Sequence, residues 1–259
     1  MMQVSDLGYD ILVCDDKLAN KINKLEPAIP LVMRYPNICF LDIQGKAENI
    51  FQRLLHFGVD LSPKLMDRFF ICRQVDSAKR QRLLESFFDV IAPIYEQLVD
   101  IQRNYENIQN LMEAAKSYIN VSKCCTVIDF GCGIGLSHDV MAQYEMMIVG
   151  LDPCPGMRGL AKRRGMRVWG PAELARQPME SIDAAFASYV FHLLPDSGLL
   201  RLLWNRLKVG GVITANFHKQ EGLVVFETTM NELGGVRMKA VPLRDDTHHG
   251  AYRVFAKRI

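Results

Sequence analysis

The chain has 259 residues, a hydrophobic content of 49% and a formal net charge of +2 at neutral pH. This balance is typical of a folded globular protein, and it excludes a disordered chain and a strongly basic nucleic-acid-binding protein. No apolar run approaches the roughly 20 residues that a membrane-spanning helix needs, and the first residues lack a signal-peptide pattern, so we expect a cytoplasmic protein without a membrane contact.

The cysteines predict neither a disulfide framework nor a zinc site. The chain has seven of them, an odd number, and no two are spaced as C-x-x-C. This pattern favours reduced thiols and no structural metal.

The first 76 residues carry no motif with recognisable chemistry. Apolar runs predict short strands at residues 10–14, 29–33 and 38–43, and helical spacing predicts helices at 17–25 and 47–57. A small α/β unit and an irregular lid both fit this pattern. We interpret the segment as an accessory unit that encloses a substrate or forms a homodimer contact.

The next segment, up to residue 120, has helical periodicity. Apolar residues such as Leu84 and Ile91 form one stripe, and Pro93 should break the helix because it removes a donor and clashes with the preceding turn. This break could act as a hinge for a helical segment that covers a ligand. The alternative is a plain helical hairpin that packs on the core. The expected organisation is an accessory segment over 1–76, a helical cover or linker over 77–120 and a core over 121–259.

The most informative segment of the chain is 127–135, Val-Ile-Asp-Phe-Gly-Cys-Gly-Ile-Gly. An apolar strand runs into three alternate glycines, and a helix is expected from about Leu136. Gly131, Gly133 and Gly135 let the backbone turn tightly and approach a ligand that any Cβ would exclude. Strand, glycine turn and helix in this order predict a ligand-binding loop of an α/β protein.

Two acids indicate which ligand this loop fits. The apolar run 146–151 reads as the next strand and ends at Asp152, whose carboxylate can accept hydrogen bonds from two ribose hydroxyls. A dinucleotide fingerprint would need a third glycine at position 136, where this chain has Leu136. Asp129, two residues before the first glycine, is unfavourable beside a pyrophosphate and favourable beside a cation. S-adenosylmethionine carries an ammonium group and a sulfonium but no phosphate.

From about residue 87 to the C-terminus, the sequence resembles the class I S-adenosylmethionine-dependent methyltransferases. The resemblance implies a Rossmann-like α/β fold with a doubly wound, seven-stranded sheet and one antiparallel strand near the C-terminus. It also implies S-adenosylmethionine as the cofactor. Besides the glycine segment, it rests on Phe87–Tyr95, Leu151–Met157, Val168–Glu173, Ile182–Asp196 and Leu207–Phe217.

The resemblance assigns roles to single residues. Asp129 would hold the amino end of the cofactor, Asp152 would hold the ribose, and Ser188 would line the pocket beyond the fourth strand. The adenine-contacting aspartate of the family falls at Pro171, which has neither a carboxylate nor an N–H group. The predicted cofactor-binding set is Asp129, Gly131, Cys132, Gly133, Asp152, Pro153, Met157, Ala172, Glu173 and Ser188.

Methyl transfer from a sulfonium is an in-line displacement, so a catalytic base is needed only when the acceptor keeps its proton at neutral pH. His192, after the fourth strand, is the candidate base, with a local capping role as the alternative. Tyr189 and Tyr95 are candidates to place aromatic faces near the sulfonium, with core packing as the alternative. His218, after the fifth strand, is a further candidate.

The predicted function is methyl transfer to a small-molecule acceptor. One alternative keeps the cofactor but transfers or cyclises its aminocarboxypropyl arm, to azetidine-2-carboxylate in the second case, with release of methylthioadenosine. RNA methylation and a non-catalytic binding module are further alternatives. We disfavour a nucleic-acid partner because the basic run 158–164 reads as a solvated helix face without interleaved aromatic residues.

Overall fold

The computed structural model of the chain describes residues 11–25, 29, 31–35, 38–43, 55, 69–71, 77–119, 125–141, 146–195, 197–243 and 250–258. The helix predicted at 47–57 lies outside these residues apart from position 55. The contacts divide the chain into two compact units, Met1–Val99 and Asp100–Ile259. In the described part of the chain, no helix is long and apolar enough to cross a membrane.

The N-terminal unit contains a four-stranded sheet in the order β2-β3-β1-β4. β1 pairs antiparallel with β3 and parallel with β4, and β2 pairs antiparallel with β3. Three of these strands lie within two residues of their predicted bounds, whereas β4 is too short to show a pattern in the sequence. The strands are β1 (Ile11–Cys14), β2 (Leu31–Tyr35), β3 (Ile38–Asp42) and β4 (Phe69–Ile71).

Helices cover this sheet through apolar contacts. α1 (Asp16–Leu25) buries Ala19 and Ile22, and α2 (Ser77–Ile91) places Phe87 at 5.2 Å, centroid to centroid, from Phe69 of β4. α2 ends directly before a 3₁₀ turn at Ala92–Ile94, and the short α3 (Tyr95–Leu98) follows. Pro93 lies in that turn, so the predicted helix break is confirmed.

The second unit has a seven-stranded sheet in the order β10-β11-β9-β8-β5-β6-β7. Strands β5 to β9 are parallel, and β11 runs antiparallel to β9 and to β10. The predicted sheet with one antiparallel strand near the C-terminus is therefore confirmed. Its strands are β5 (Thr126–Phe130), β6 (Met147–Leu151), β7 (Arg167–Trp169), β8 (Ile182–Ala187), β9 (Leu207–Phe217), β10 (Gly235–Val241) and β11 (Ala251–Lys257).

The helices of this unit alternate with the strands. The strands are continuous apolar runs because helices cover both faces of a parallel sheet. The strand order reverses between β5 and β8, and such a reversal opens a crevice at the carboxyl ends of the strands. The helices are α4 (Ile101–Lys116), α5 (Leu136–Met141), α6 (Pro155–Arg163), α7 (Pro171–Ala175), α8 (Ser197–Arg206) and α9 (Gln220–Glu232).

α9 is much longer than the sequence predicts, since its apolar spacing indicates a helix only over residues 228–233. Gly222 in the first turn obscures the pattern, because glycine disfavours helix interiors. A Cβ at Gly222 would lie 2.6 Å from the carbonyl oxygen of Phe191. The close approach of α9 to the turn after β8 therefore requires this glycine.

An aromatic cluster under the crevice anchors α9. Phe226 is fully buried, and its ring lies 4.6 Å from that of Phe191 and 5.3 Å from that of Phe217. Because buried aromatic rings contribute large apolar areas, this cluster should hold the carboxyl ends of β8 and β9 together.

We expect Phe226→Ala to lower the free energy of unfolding of the second unit by about 3–5 kcal/mol, as a large core cavity does. Both tryptophans of the chain, Trp169 and Trp204, lie buried in this unit, so urea unfolding followed by tryptophan fluorescence reports on it. Val224→Ala on the same helix is the control, since Val224 is 51% exposed and should change stability by less than about 0.5 kcal/mol. Equal effects of the two substitutions would contradict the role of the cluster.

Candidate functional site

The glycine loop between β5 and α5 has three residues in the left-handed region, with φ of +74° at Gly131, +52° at Gly133 and +83° at Gly135. A Cβ at Gly131 would lie 2.5 Å from Val190, and one at Gly135 would lie 2.9 Å from Ala161. Among the described residues, no atom beyond the chain neighbours of Gly133 lies within 4 Å of its Cβ position. The first and third glycines are thus required by packing, whereas the middle glycine faces open space.

The N–H groups of this loop are bound within the protein. Gly131 and Cys132 both donate to the carbonyl oxygen of Leu151, at 2.7 and 3.3 Å, and Gly133 donates to Oδ2 of Asp152 at 2.9 Å. A loop that binds phosphate must offer such N–H groups to the ligand. Here carbonyl and carboxylate oxygens remain, and they favour a cationic ligand.

Asp152, directly after β6, is only 6% exposed. Besides Gly133, it accepts a hydrogen bond from the N–H of Cys154 at 2.8 Å through Oδ1. Because a carboxylate has about four acceptor positions, these bonds orient the group and leave positions for ribose hydroxyls. Burial raises the pKa of Asp152 to about 6, although both backbone hydrogen bonds act to lower it.

Asp129, the penultimate residue of β5, is 3% exposed. Its Oδ2 accepts a hydrogen bond of 2.5 Å from the hydroxyl of Ser137 on α5. Burial raises the pKa of Asp129 to about 7, the Ser137 bond lowers it, and the charge of Asp152 raises it further. Both carboxyl groups therefore have pKa values near neutral pH, and a cation would favour their ionised forms.

Cys132 is a buried loop residue, 7% exposed. Burial, together with the nearby charges of Asp152 and Asp129, raises the pKa of its thiol well above the ordinary value. A thiol in this state is a poor nucleophile. The contribution of Cys132 to the loop is therefore its backbone and its packing.

The residues predicted to frame adenine follow β6 and β7. Met157 on α6 is buried, whereas Ala172 and Glu173 on α7 are exposed. The Glu173 carboxylate accepts a 2.9 Å hydrogen bond from the N–H of Gly170 and so caps α7. Their contacts with adenine remain predictions.

The basic run on α6 is not the uniformly solvated face that the sequence suggests. Nη1 of Arg158 donates to the carbonyl oxygens of Asp152 and Pro153, at 2.8 and 2.7 Å. Arg164 donates to Asp139 at 2.5 Å. The prediction was wrong at these positions because Arg158 folds back onto the turn before α6 and Arg164 reaches Asp139 on α5. Of this basic run, Lys162 and Arg163 are exposed.

Ser188 lies directly after β8, and its Oγ accepts a 2.8 Å hydrogen bond from Nδ2 of Asn107 on α4. With Oγ engaged as an acceptor, the Ser188 hydroxyl proton is available to donate. Sequence reasoning missed Asn107, which is 7% exposed. Its position four residues before the buried Leu111, on the inner face of an amphipathic helix, was the available signal.

Three predicted rings meet at the carboxyl ends of β8 and β9. The ring of His218 lies 4.4 Å from that of His192 and 5.5 Å from that of Tyr189. Tyr189 has a φ of +55°, and its N–H donates to Oδ1 of Asn216 at 2.7 Å. A left-handed conformation in a non-glycine residue marks strain of the kind found at functional sites.

His192 and Tyr189 of this group are neutral at pH 7. Burial lowers the pKa of His192 well below its ordinary value, and the neighbouring charges of His218 and Lys219 lower it further. Although His192 is partly exposed as a residue, its Nδ1 atom is buried and has no hydrogen-bond partner among the described residues. Burial also raises the pKa of Tyr189 to about 12.

Tyr95 belongs to the N-terminal unit, where its ring lies 6.5 Å from that of Phe88. Its predicted contact with the sulfonium remains a prediction. Among the described residues, no group of three histidine, cysteine, aspartate or glutamate side chains could hold a metal ion.

Comparison with known proteins gives matches to methyltransferases. Residues 128–215 match the family model of a methyltransferase domain. A protein of Schizosaccharomyces pombe, named as an uncharacterized methyltransferase, is 29% identical over 98 residues, which cover 36% of this chain. The chain thus matches 38% of the length of that relative.

Solved structures share the fold at low sequence identity. A chain of the complex between the Haloferax volcanii Trm112 methyltransferase activator and a methyltransferase has a TM-score of 0.50 and 14% identity, over 66% of this chain and 98% of that chain. The 4+2 cyclase SpnF has a TM-score of 0.53 and 12% identity, over 69% of this chain and 97% of that chain. Residues 128–215 thus match a methyltransferase domain, and the strand order and the acid-flanked glycine loop agree with that match.

Proposed function

We propose that this chain is an S-adenosylmethionine-dependent methyltransferase that acts on a small-molecule acceptor. One observation carries the proposal: the N–H groups of Gly131, Cys132 and Gly133 donate hydrogen bonds to oxygen atoms at the end of β6. A loop with its donors occupied and two buried carboxyl groups beside it favours a cationic nucleoside over a phosphate-bearing one.

The residues fit S-adenosylmethionine. Asp129 and the loop carbonyls would hold its ammonium group, Asp152 would accept its ribose hydroxyls, and the open space at Gly133 would admit its chain. Met157, Ala172 and Glu173 would frame its adenine. When bound, this cofactor supplies a methyl group on a sulfonium sulfur.

The carboxyl ends of β8 and β9 would orient the acceptor. Ser188 is placed to donate a hydrogen bond, because its Oγ already accepts one from Asn107. The neutral imidazole of His192 can accept a proton from an acceptor hydroxyl or amine. Tyr189 supplies an aromatic face, which would favour a cation nearby and exclude water.

The surface charge supports a small acceptor over RNA. Of the basic run on α6, Arg158 and Arg164 are committed to internal partners. A nucleic-acid interface would need a larger stripe of available cations and interleaved aromatic residues.

Product analysis tests the proposal and separates it from its alternatives. The pure protein is incubated with S-adenosylmethionine alone, with a small-metabolite fraction of a cell extract, and with the RNA fraction of that extract. We expect S-adenosylhomocysteine only with the metabolite fraction. Methylthioadenosine would instead indicate cyclisation or aminocarboxypropyl transfer, and S-adenosylhomocysteine with RNA alone would indicate RNA methylation.

We expect Asp152→Asn to weaken binding of S-adenosylhomocysteine by about 30- to 160-fold, or 2–3 kcal/mol, as measured by calorimetry at pH 8. Both carboxylate oxygens accept N–H groups, so the amide nitrogen of asparagine must face a donor. The control is Asp139→Asn, because Asp139 is an exposed carboxylate on α5 and its replacement should change the affinity by less than about twofold. A wild-type affinity in Asp152→Asn would contradict the ribose role.

Asp129→Asn should weaken binding and yet stabilise the ligand-free protein at pH 8. The folded-state pKa of Asp129 is raised from 3.8 to about 7, so the stability associated with its protonated form is lost as the pH rises through 7. We therefore expect the advantage of the variant to shrink by about 2–3 kcal/mol between pH 8 and pH 5. Urea unfolding followed by tryptophan fluorescence checks this, and an advantage that is the same at both pH values would contradict it.

A further inference from the structure

Arg158 occupies a position that the proposed function does not explain. It lies on α6, and its Nη1 atom donates to the carbonyl oxygens of Asp152 and Pro153. These two carbonyls belong to the turn that presents the Asp152 carboxylate. A charged guanidinium that binds two carbonyls of one turn fixes the backbone of that turn, since hydrogen bonds from charged donors are the stronger ones.

The same guanidinium lies against the turn that follows β7. A Cβ at Gly170 would lie 3.2 Å from Cζ of Arg158 and 2.9 Å from Oε2 of Glu173. The Arg158 charge contributes to lowering the pKa of Glu173, after the hydrogen bonds that Glu173 makes with its own backbone and with Gly170. The absence of a side chain at Gly170 therefore leaves room for an arginine and a glutamate beside one another.

We propose that Arg158 is a positioning residue for the cofactor, which holds the Asp152 carboxylate in its ribose-binding orientation by binding both carbonyl oxygens of the turn after β6. The inference rests on the proposed function, because it assumes that Asp152 binds a ribose.

The charge of Arg158 also affects the protonation of Asp152. After burial, the groups that act on this carboxyl group are the N–H groups of Cys154 and Gly133, the Cys154 side chain and Arg158 from α6, while its charge acts in turn on Asp129 and Cys132. Arg158 is the cation among them, and it lowers the pKa of Asp152 against the larger effect of burial. Without that cation, Asp152 would take up a proton at higher pH and lose acceptor capacity for ribose hydroxyls.

Calorimetry with S-adenosylhomocysteine between pH 5.5 and pH 8 tests the proposal. We expect Arg158→Gln to weaken binding by about 10-fold at pH 8. We also expect the pH at which affinity falls on acidification to rise by ~0.5–1 unit. Arg158→Lys keeps the charge and should retain the wild-type midpoint of this pH profile. Because Asp129 also has a pKa near neutral pH, the midpoint of each variant is compared with that of the wild-type protein.

A control variant makes the test specific. Arg163→Gln removes the same charge from an exposed position on α6 and should leave affinity and pH profile unchanged.

The outcomes separate this inference from the proposed function. Wild-type affinity in Arg158→Gln, or a loss of equal size at every pH and in Arg158→Lys, would overturn the positioning role. If the wild-type protein itself does not bind S-adenosylhomocysteine, the proposed function fails instead.

Discussion

The site depends on how the glycine loop satisfies its own backbone. The loop leaves β5 beside the end of β6, because Phe130 pairs with Leu151 in the parallel sheet. In that register, the Leu151 carbonyl accepts two loop N–H groups and Asp152 accepts a third. Buried N–H groups need partners, and here β6 supplies them. The loop thereby becomes rigid and poor in free donors, which is the opposite of a phosphate cradle.

This arrangement buries two carboxyl groups, and their burial costs the folded state free energy when they are ionised. Burial raises the pKa of Asp129 to about 7 and that of Asp152 to about 6, so their ionised forms destabilise the ligand-free fold near neutral pH. The aromatic cluster around Phe226 and the seven-stranded sheet provide the apolar burial that offsets this cost. A cationic ligand would stabilise the ionised carboxyl groups. Binding of such a ligand would therefore also stabilise the folded protein.

The sequence predicted the parts of the structure that depend on local pattern. The three glycines, the acids at the ends of β5 and β6 and the apolar strands give signals within a few residues, so the sheet and the candidate loop were found. The roles of Asn107 and Gly222 were missed, because each is set by a neighbour far along the chain. The role of Arg158 was missed because it depends on the direction that its side chain takes back to the turn after β6. A single sequence shows that a residue is basic or small, but not which carbonyl or helix it faces.

The site has two chemically different edges. The edge formed by β5 and β6 carries acids and carbonyls, whereas the edge formed by β8 and β9 carries Ser188 and the neutral rings of Tyr189 and His192. Under the proposed function, the charged tail of the cofactor would lie against the acidic edge, and the acceptor would meet a neutral edge rich in hydrogen-bonding groups. Burial, followed by the charges of His218 and Lys219, disfavours protonation of His192, so this imidazole is a neutral hydrogen-bonding group rather than a fixed cation beside a sulfonium. The acidic edge thus favours a cation, whereas the rings of Tyr189 and His192 add no positive charge at the other edge.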